Sequence, residues 1–227
     1  MDLDSNKRKF KFFVCFWAVL IFLSCTSRPG MAKCPTRMGS IFPPDHFSVI
    51  ARRGSVSKFP ENTIPAFQEA LNVDGANALE ADLSLTKDGK VVLWHDWDPN
   101  SPMARARQEK GEPVEKFKPF GPSLEESRWE KKVCELTLAE FTDHYGYEDK
   151  ITRTKADVKI PTFQDLIEWA TRQDKLKLLL LKLRIPADES RLAPVMLEEI
   201  RRIIGGIDPA PRFQFILLTP HKEILKQ

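Results

Sequence analysis

The chain has 227 residues, of which 42% are hydrophobic and 30% are charged, with 17 proline, 10 glycine and 4 cysteine residues. This composition supports one hydrophobic core and excludes a disordered, collagen-like or disulfide-framed small protein. The 35 basic and 32 acidic side chains leave a formal net charge of +3. No long run of one charge sign indicates a nucleic-acid partner, and we expect none.

The N-terminal segment has the features of an export signal. Basic side chains at 7–11 precede the apolar run Phe12 to Leu23, which is shorter than the about 20 residues that a membrane-spanning helix needs. Phe22-Leu23-Ser24-Cys25 resembles a bacterial lipobox, in which the cysteine is lipidated. We expect a lipoprotein-like signal peptide over 1–24, with simple secretory cleavage as the alternative. The protein would then lie in the cell envelope, anchored to the membrane or else secreted.

A Ser, Arg, Pro and Gly segment from Thr26 to Gly30 follows the predicted signal, and proline recurs up to Pro44. It predicts a linker over 25–45 and a single domain over 46–227. Cys34 and Cys134 are more than a hundred positions apart and lack the spacing of metal ligands, so a disulfide between them is left open.

Strands alternate with helices along the predicted domain. Strands are predicted at 47–51, 78–85, 91–94, 176–183 and 213–218, and helices from Asn62 or Thr63 to about 71 and at 137–144, 162–172 and 189–204. Asn62 and Thr63 are interpreted as helix-capping residues. Region 97–133 lacks apolar periodicity and is predicted to be a long excursion over the surface. Strands separated by helices predict an α/β fold with a parallel sheet.

Two carboxylates lie on one face of a predicted strand. Glu80 and Asp82 are two positions apart, so both side chains point the same way. Burying them is costly unless a positive group lies between them, and a divalent cation such as Mg²⁺ or Ca²⁺ would serve. Salt bridges at an exposed edge are the alternative. His95 ends the next strand and would bring a group that titrates near neutral pH close to this pair.

Several motifs carry a resemblance to the glycerophosphodiester phosphodiesterase family. They are Ala51-Arg52-Arg53-Gly54, Pro60-Glu61-Asn62-Thr63, Leu79 to Gly89 and Val91 to Asp96, with weaker matches at 136–141 and 160–163. The resemblance covers residue 46 to the end. It implies a TIM (βα)8 barrel with its site at the C-terminal ends of the strands. It also implies hydrolysis of glycerophosphodiesters to sn-glycerol 3-phosphate and an alcohol, with a divalent cation on three carboxylates and two histidines as acid and base.

The resemblance assigns roles to individual residues. Glu80 and Asp82 match two metal ligands, and His95 matches one catalytic histidine. Arg53 matches an arginine that would contact the phosphate through its planar donors. Glu61 matches an acid near the substrate. Region 97–133 corresponds to the family's insertion, which helps to shape the substrate site.

Two residues depart from the family pattern. Arg52 stands in place of the first catalytic histidine, and its guanidinium cannot act as a general base because it stays protonated. Lys182 stands where the third metal-ligating acid is expected. Its ammonium group would oppose cation binding, or would itself satisfy Glu80 and Asp82. We therefore expect Mg²⁺ or Ca²⁺ to bind weakly or not at all, and activity to be impaired.

The count of elements leaves three hypotheses open. Five strands are predicted where a closed barrel has eight, which predicts about five of eight βα units and a C-terminally incomplete chain. The first hypothesis is an impaired phosphodiesterase, and the second is a lipoprotein that binds a phosphate or lipid-derived headgroup without turnover through Arg52, Arg53 and Lys182. The third is a non-functional gene fragment. The remaining histidines, His46, His144 and His221, are interpreted as surface or structural residues.

Overall fold

The computed structural model describes residues 47–208, 211–222 and 224. The predicted signal peptide and linker, with Cys25, Cys34 and His46, lie outside the described residues, so the export and disulfide expectations stay predictions. No helix in the described ranges is long and apolar enough to cross a membrane.

The described residues form seven strands and five α-helices. In chain order they are β1 (Ile50–Arg52), α1 (Ile64–Asn72), β2 (Ala78–Leu85), β3 (Val91–Leu93), α2 (Pro102–Lys110), β4 (Phe117–Phe120), α3 (Leu138–His144), β5 (Gly146–Asp149), α4 (Phe163–Ala170), β6 (Leu178–Leu183), α5 (Ala193–Gly205) and β7 (Gln214–Leu218). Short 3₁₀ helices cover Leu124–Trp129, Val133–Glu135 and Ala187–Leu192. The five predicted strands and four predicted helices are all present, with ends that differ by up to four residues.

The main sheet has five strands. β1, β2, β6 and β7 lie side by side in that order and are parallel, as predicted. β3 is an exception, because it pairs with β2 in the antiparallel direction. The turn between β2 and β3 is too short for the crossover that a parallel pair requires. This hairpin turns the chain back, so that the residues after β3 lie beside the middle of β2.

Region 97–133, which is predicted to be a long excursion over the surface, contains regular structure. It holds α2, β4 and two of the 3₁₀ helices, and β4 pairs with β5 in a separate antiparallel sheet. Apolar periodicity missed α2 because its buried residues are Ala104 and Arg107. The helix instead has end signals, since Ser101 caps its first turn, Pro102 begins it, and Gly111 follows at a φ of 67°.

The two faces of the main sheet have different chemistry. Alternate residues of β2 and β6 pack against α1, α4 and α5 in the main hydrophobic core: Leu79, Ala81, Leu83, Leu179, Leu181 and Leu183. The intervening residues lie on the other face, where Asp82 is in register with Lys182. The period of two therefore places the candidate polar residues together, opposite the helices.

Candidate functional site

Asp82 lies at the centre of the candidate site. Its side chain has no exposed surface, and its Oδ2 atom lies 2.8 Å from Arg53 Nε. Its other oxygen, Oδ1, lies 3.8 Å from Arg184 Nη1. Burial opposes ionisation of Asp82, but the charges of Arg53, Arg184 and the protonated form of His95 outweigh it and hold the pKa of Asp82 below the ordinary value. Asp82 is therefore an anion that arginines already neutralise.

Asn62 also binds Asp82. Its Oδ1 accepts a hydrogen bond from the Asp82 backbone N–H at 3.0 Å, and its Nδ2 donates one to Asp82 Oδ2 at 3.3 Å. The predicted capping role was therefore wrong for Asn62. It is confirmed for Thr63, whose side chain accepts a hydrogen bond from Ala66 N.

Arg53 and Glu61 form a buried ion pair beside Asp82. Arg53 Nη1 lies 2.6 Å from Glu61 Oε2, and the two side chains are 1% and 4% exposed. Because both side chains are buried, the structure shows no contact surface for a phosphate on either of them. Their predicted roles at the phosphate therefore stay predictions. Arg53 Nη2 is buried and has no hydrogen-bond partner among the described residues, which leaves its N–H donors unused.

Arg52 lies at the exposed side of the site. Its side chain is 52% exposed, with Nε 3.7 Å from Glu80 Oε1 and Nη1 3.6 Å from Glu112 Oε2. The residue that replaces the expected histidine thus keeps a half-exposed guanidinium beside Glu80. These two loose contacts leave it free to turn towards an anion.

His95 forms a pair with the residue that follows it. Its Nδ1 lies 2.6 Å from Asp96 Oδ1, and both side chains are nearly buried. Burial lowers the pKa of His95, an effect that the hydrogen bond to Asp96 opposes. We assign the proton of the neutral ring to Nδ1, facing the carboxylate, which leaves a lone pair on Nε2. Such a group can accept a proton from a substrate.

The sequence patterns missed four charged residues at the site: Arg184, which follows β6, and three residues from the region after His95. Arg107 of α2 contacts Asp96, and Glu112 and Glu115 approach Arg53. Burial, followed by the negative charge of Glu61, raises the pKa of Glu115 to about 7. The end signals of α2 could have revealed the helix, but no signal in a polar helix shows which of its charges is buried.

The residues present do not fit the cation site that the resemblance implies. Glu80 Oε1 and Asp82 Oδ1 are buried without hydrogen bonds, as cation ligands would be. Each already lies within 3.7 to 3.8 Å of a guanidinium, from Arg52 and Arg184. In the described part of the chain no three His, Cys, Asp or Glu side chains converge as ligands. Guanidinium groups thus supply the positive charge that a metal ion would otherwise bring to these two carboxylates.

Lys182 lies beside Asp82 on the neighbouring strand, but it is not the group that neutralises it. The two residues are in register. None of the ion pairs found in the described ranges includes Lys182, whereas Arg53 and Arg184 both approach Asp82. Arg184 also donates from Nε to the His95 backbone carbonyl at 2.8 Å, which ties β6 to the loop that carries the histidine.

A cavity of about 340 Å³ opens beside the site. Its lining includes Asp96, Trp97, Arg184, Asp188 and His221. These residues follow β3, β6 and β7, so the cavity lies at the end of the sheet where β6 and β7 finish. His221 therefore faces this cavity, whereas His144 stacks on Trp129 at a ring distance of 4.8 Å, as a structural residue would.

The sequence matches known proteins over this region. The model of the Glycerophosphoryl diester phosphodiesterase family matches residues 53–204, well over half of the chain. The uncharacterized protein YqiK of Bacillus subtilis is 27% identical over 136 residues, which is 56% of this chain and 42% of that protein. A glycerophosphodiester phosphodiesterase of Caldanaerobacter subterraneus is 52% identical over 48 residues, 21% of this chain and 19% of that enzyme. The chain spans less than half the length of these curated relatives.

The fold is similar to that of solved structures. A candidate glycerophosphoryl diester phosphodiesterase from Silicibacter pomeroyi superposes with a TM-score of 0.51 at 21% identity, over 76% of this chain and 58% of that one. This likeness, with the parallel sheet and its helices, confirms the predicted α/β fold of TIM-barrel type. With the match over residues 53–204, it shows that the chain belongs to the glycerophosphoryl diester phosphodiesterase family.

Proposed function

We propose that this chain binds a glycerophosphodiester through its phosphate and hydrolyses it slowly to sn-glycerol 3-phosphate and an alcohol, without a bound metal ion. The observation that carries the proposal is the His95–Asp96 pair, which lies beside a cluster of arginines around Asp82. Family membership supports the reaction class, and the arginine cluster supports the substrate class.

The arginines supply the groups that a phosphodiester needs. Arg52 is half exposed, Arg184 lines the cavity, and Arg53 keeps an unused buried donor. Guanidinium groups bind phosphate oxygens with paired hydrogen bonds, and they keep their charge throughout the working pH range. An anionic phosphate would therefore gain binding energy here, and the transition-state charge would be stabilised by the same groups.

His95 supplies one of the two proton transfers that hydrolysis requires. Water adds to phosphorus and loses a proton, the bond to the alcohol oxygen breaks, and the alcohol oxygen takes its proton from solvent water. Nε2 of neutral His95 can accept the proton of the water. Arg52 cannot provide the second transfer, so we expect turnover about 10²- to 10⁴-fold below that of a family member with both histidines.

A product assay with the full chain tests this proposal. We expect slow release of sn-glycerol 3-phosphate that is unchanged by EDTA and abolished in His95→Ala. The matched control is His144→Ala, since His144 stacks on Trp129 and is not among the residues that line the cavity. Loss of activity in EDTA would contradict the metal-free site, and activity that survives in His95→Ala would contradict the role of His95.

A second candidate function is phosphate binding without turnover. It is favoured by Arg52, because a site with one proton carrier and several guanidinium groups is better suited to binding than to hydrolysis. Calorimetric titration with a glycerophosphodiester separates the two. Binding that Arg52→Gln and Arg184→Gln weaken, with no product released, would favour this candidate.

The cellular location is proposed from the sequence alone. We propose that Cys25 is lipidated and anchors the protein in the cell envelope, where lipid-derived glycerophosphodiesters would be available. Fatty-acid labelling of the expressed full chain should mark the membrane fraction, and Cys25→Ala should remove the label. Label that persists in Cys25→Ala would leave simple secretion as the explanation.

A further inference from the structure

Arg107 is a buried arginine that contacts both partners of the His95–Asp96 pair. It belongs to α2, and 5% of it is exposed. Its Nη1 lies 2.6 Å from Asp96 Oδ2 and 3.0 Å from His95 Nδ1. Its Nη2 donates to Glu61 Oε1 at 2.5 Å. A single guanidinium thus connects the proton carrier with the acid that lies beside Arg53.

The two oxygens of Asp96 are used by different partners. Oδ1 lies 2.6 Å from His95 Nδ1, and Oδ2 lies 2.6 Å from Arg107 Nη1. The ionised Asp96 accepts hydrogen bonds and Arg107 only donates them, so Nδ1–H donates to Oδ1 while Arg107 Nη1 donates to Oδ2 and lies beside Nδ1 without a hydrogen bond to it. The contact of Arg107 with Oδ2 fixes the rotation of the carboxylate and keeps Oδ1 directed at the ring.

Arg107 is itself held in place by Glu61. Glu61 accepts from Arg107 through Oε1 and from Arg53 through Oε2. A continuous set of buried ion pairs therefore runs from Asp82 through Arg53, Glu61 and Arg107 to Asp96. Such a set fixes geometry, since each charge would be left uncompensated if its partner moved.

We propose that Arg107 is a positioning residue for His95, which holds Asp96 so that the imidazole keeps its proton on Nδ1 and directs the Nε2 lone pair towards the substrate. The link to turnover rests on the proposed hydrolysis. The effect on the ring does not, and it can be measured on the protein without substrate.

The first measurement is the tautomer of His95 by NMR of the full chain with isotope-labelled histidine. The His95 signal is identified by its loss in His95→Ala. We expect the parent chain to carry its proton on Nδ1 and Arg107→Met to show a mixture of both tautomers. Arg105→Met is the matched control, because Arg105 lies on the same helix, is exposed, and pairs with Glu130. It should leave the tautomer unchanged.

Conservative variants keep the test decisive if Arg107→Met does not fold. Arg107→Lys retains the charge but cannot hold Asp96 and Glu61 with the same fork, so we expect a partial mixture. Glu61→Gln loosens Arg107 without removing it and should act in the same direction. An unchanged His95 tautomer in the folded variants would overturn the proposal and leave Arg107 with a structural role alone.

The second measurement is turnover. Arg107 contacts Asp96 and is not among the residues that line the cavity, so Arg107→Lys should lower kcat and leave KM nearly unchanged. The loss should stay below the about 10²- to 10⁴-fold that a positioned proton carrier supplies. If the parent chain releases no product, the proposed hydrolysis fails while the tautomer measurement still tests Arg107. A raised KM with unchanged kcat would contradict a positioning role.

Discussion

At the scale of single residues, the site combines backbone strain with buried charge. Arg53 and Asn62 adopt positive φ angles of 58° and 55°, in a region that side chains other than glycine rarely occupy. Each such residue costs of order 1 to 3 kcal/mol, and it persists where its surroundings fix it. Both are fixed by Asp82, through the ion pair with Arg53 and the two hydrogen bonds with Asn62. The strain therefore serves to hold Asp82 and its partners in one arrangement.

Glu115 gives a pH dependence of stability. Burial and Glu61 raise its pKa from 4.5 to about 7 in the folded protein. At a pH between 4.5 and about 7, Glu115 keeps its proton in the folded state and has lost it in the unfolded state. The stabilisation that this proton gives is therefore lost, and the free energy of unfolding falls, as the pH rises through this range. We expect Glu115→Gln to raise the free energy of unfolding at pH about 8 by on the order of 1 to 3 kcal/mol.

Urea unfolding of both chains between pH about 4 and about 8 checks this prediction. The difference between variant and parent should be small at the acid end and should grow through this range. Asp82 and Asp96 have lowered pKa values and contribute an opposite slope below their ordinary range, but they contribute it to both chains. A difference that does not change with pH would contradict the raised pKa of Glu115.

At the scale of elements, the junction of β1 and α1 brings the site together. Gly54 follows Arg53 at a φ of +86°, and a Cβ built on it would lie 2.7 Å from the carbonyl carbon of Ala66 in α1. The loop also donates from Ser55 N to Ala66 O at 2.9 Å. Glycine is thus required here for two reasons, the backbone angle and the close approach of the helix.

Two glycine substitutions separate these reasons. Gly75 has a similar φ of +80° but nothing within 4 Å of an added Cβ. We expect Gly75→Ala to cost about 1 to 2 kcal/mol for the backbone alone. Gly54→Ala should cost about 1 to 3 kcal/mol more, because the methyl group displaces α1. Urea unfolding of both variants measures the two losses of stability. Equal losses would show that α1 moves away from the added methyl group at no cost in free energy.

The elements that the sequence predicts are those with apolar periodicity. β2 alternates apolar and polar residues, β6 is almost entirely apolar, and α4 has one apolar face. The pattern of apolar residues was therefore enough to predict these three elements. α2 and β4 could not be found that way, because α2 buries an arginine and β4 is four residues long and contains Pro119. Their stability depends on tertiary partners, which no local pattern reveals.

At the scale of the whole molecule, the motifs predicted which residues meet but not how they pair. Glu80, Asp82 and His95 were expected together, and the sheet face and the β2–β3 hairpin bring them there. The pairing of Asp82 with Arg184 was not predicted, since the two residues are far apart in the chain. Long-range charge pairs depend on the register between strands, and the register appears only in the folded sheet.

The same register predicts how a cation site could be restored. Asp82 and Lys182 are in-register neighbours on parallel strands, so their side chains lie on one face. Lys182→Glu would place a third carboxylate beside Asp82 and Glu80 and would remove a positive charge. Ca²⁺ has oxygen preferences that such a set satisfies, although Arg184 would still compete for Asp82.

We therefore expect the parent chain to bind Ca²⁺ and Mg²⁺ weakly. In Lys182→Glu the dissociation constant should fall by roughly tenfold or more, which corresponds to about 1.4 kcal/mol of binding free energy. Calorimetric titration of the full chain measures both affinities. Lys177→Glu is the control, because it makes the same change of charge at an exposed position just before β6, where the Lys177 side chain donates to the Asp174 carbonyl. It should bind Ca²⁺ as the parent does, since the added carboxylate lies far along the strand from Asp82. Tight binding by the parent, unchanged in Lys182→Glu, would show that Lys182 does not occupy the position of the third ligand.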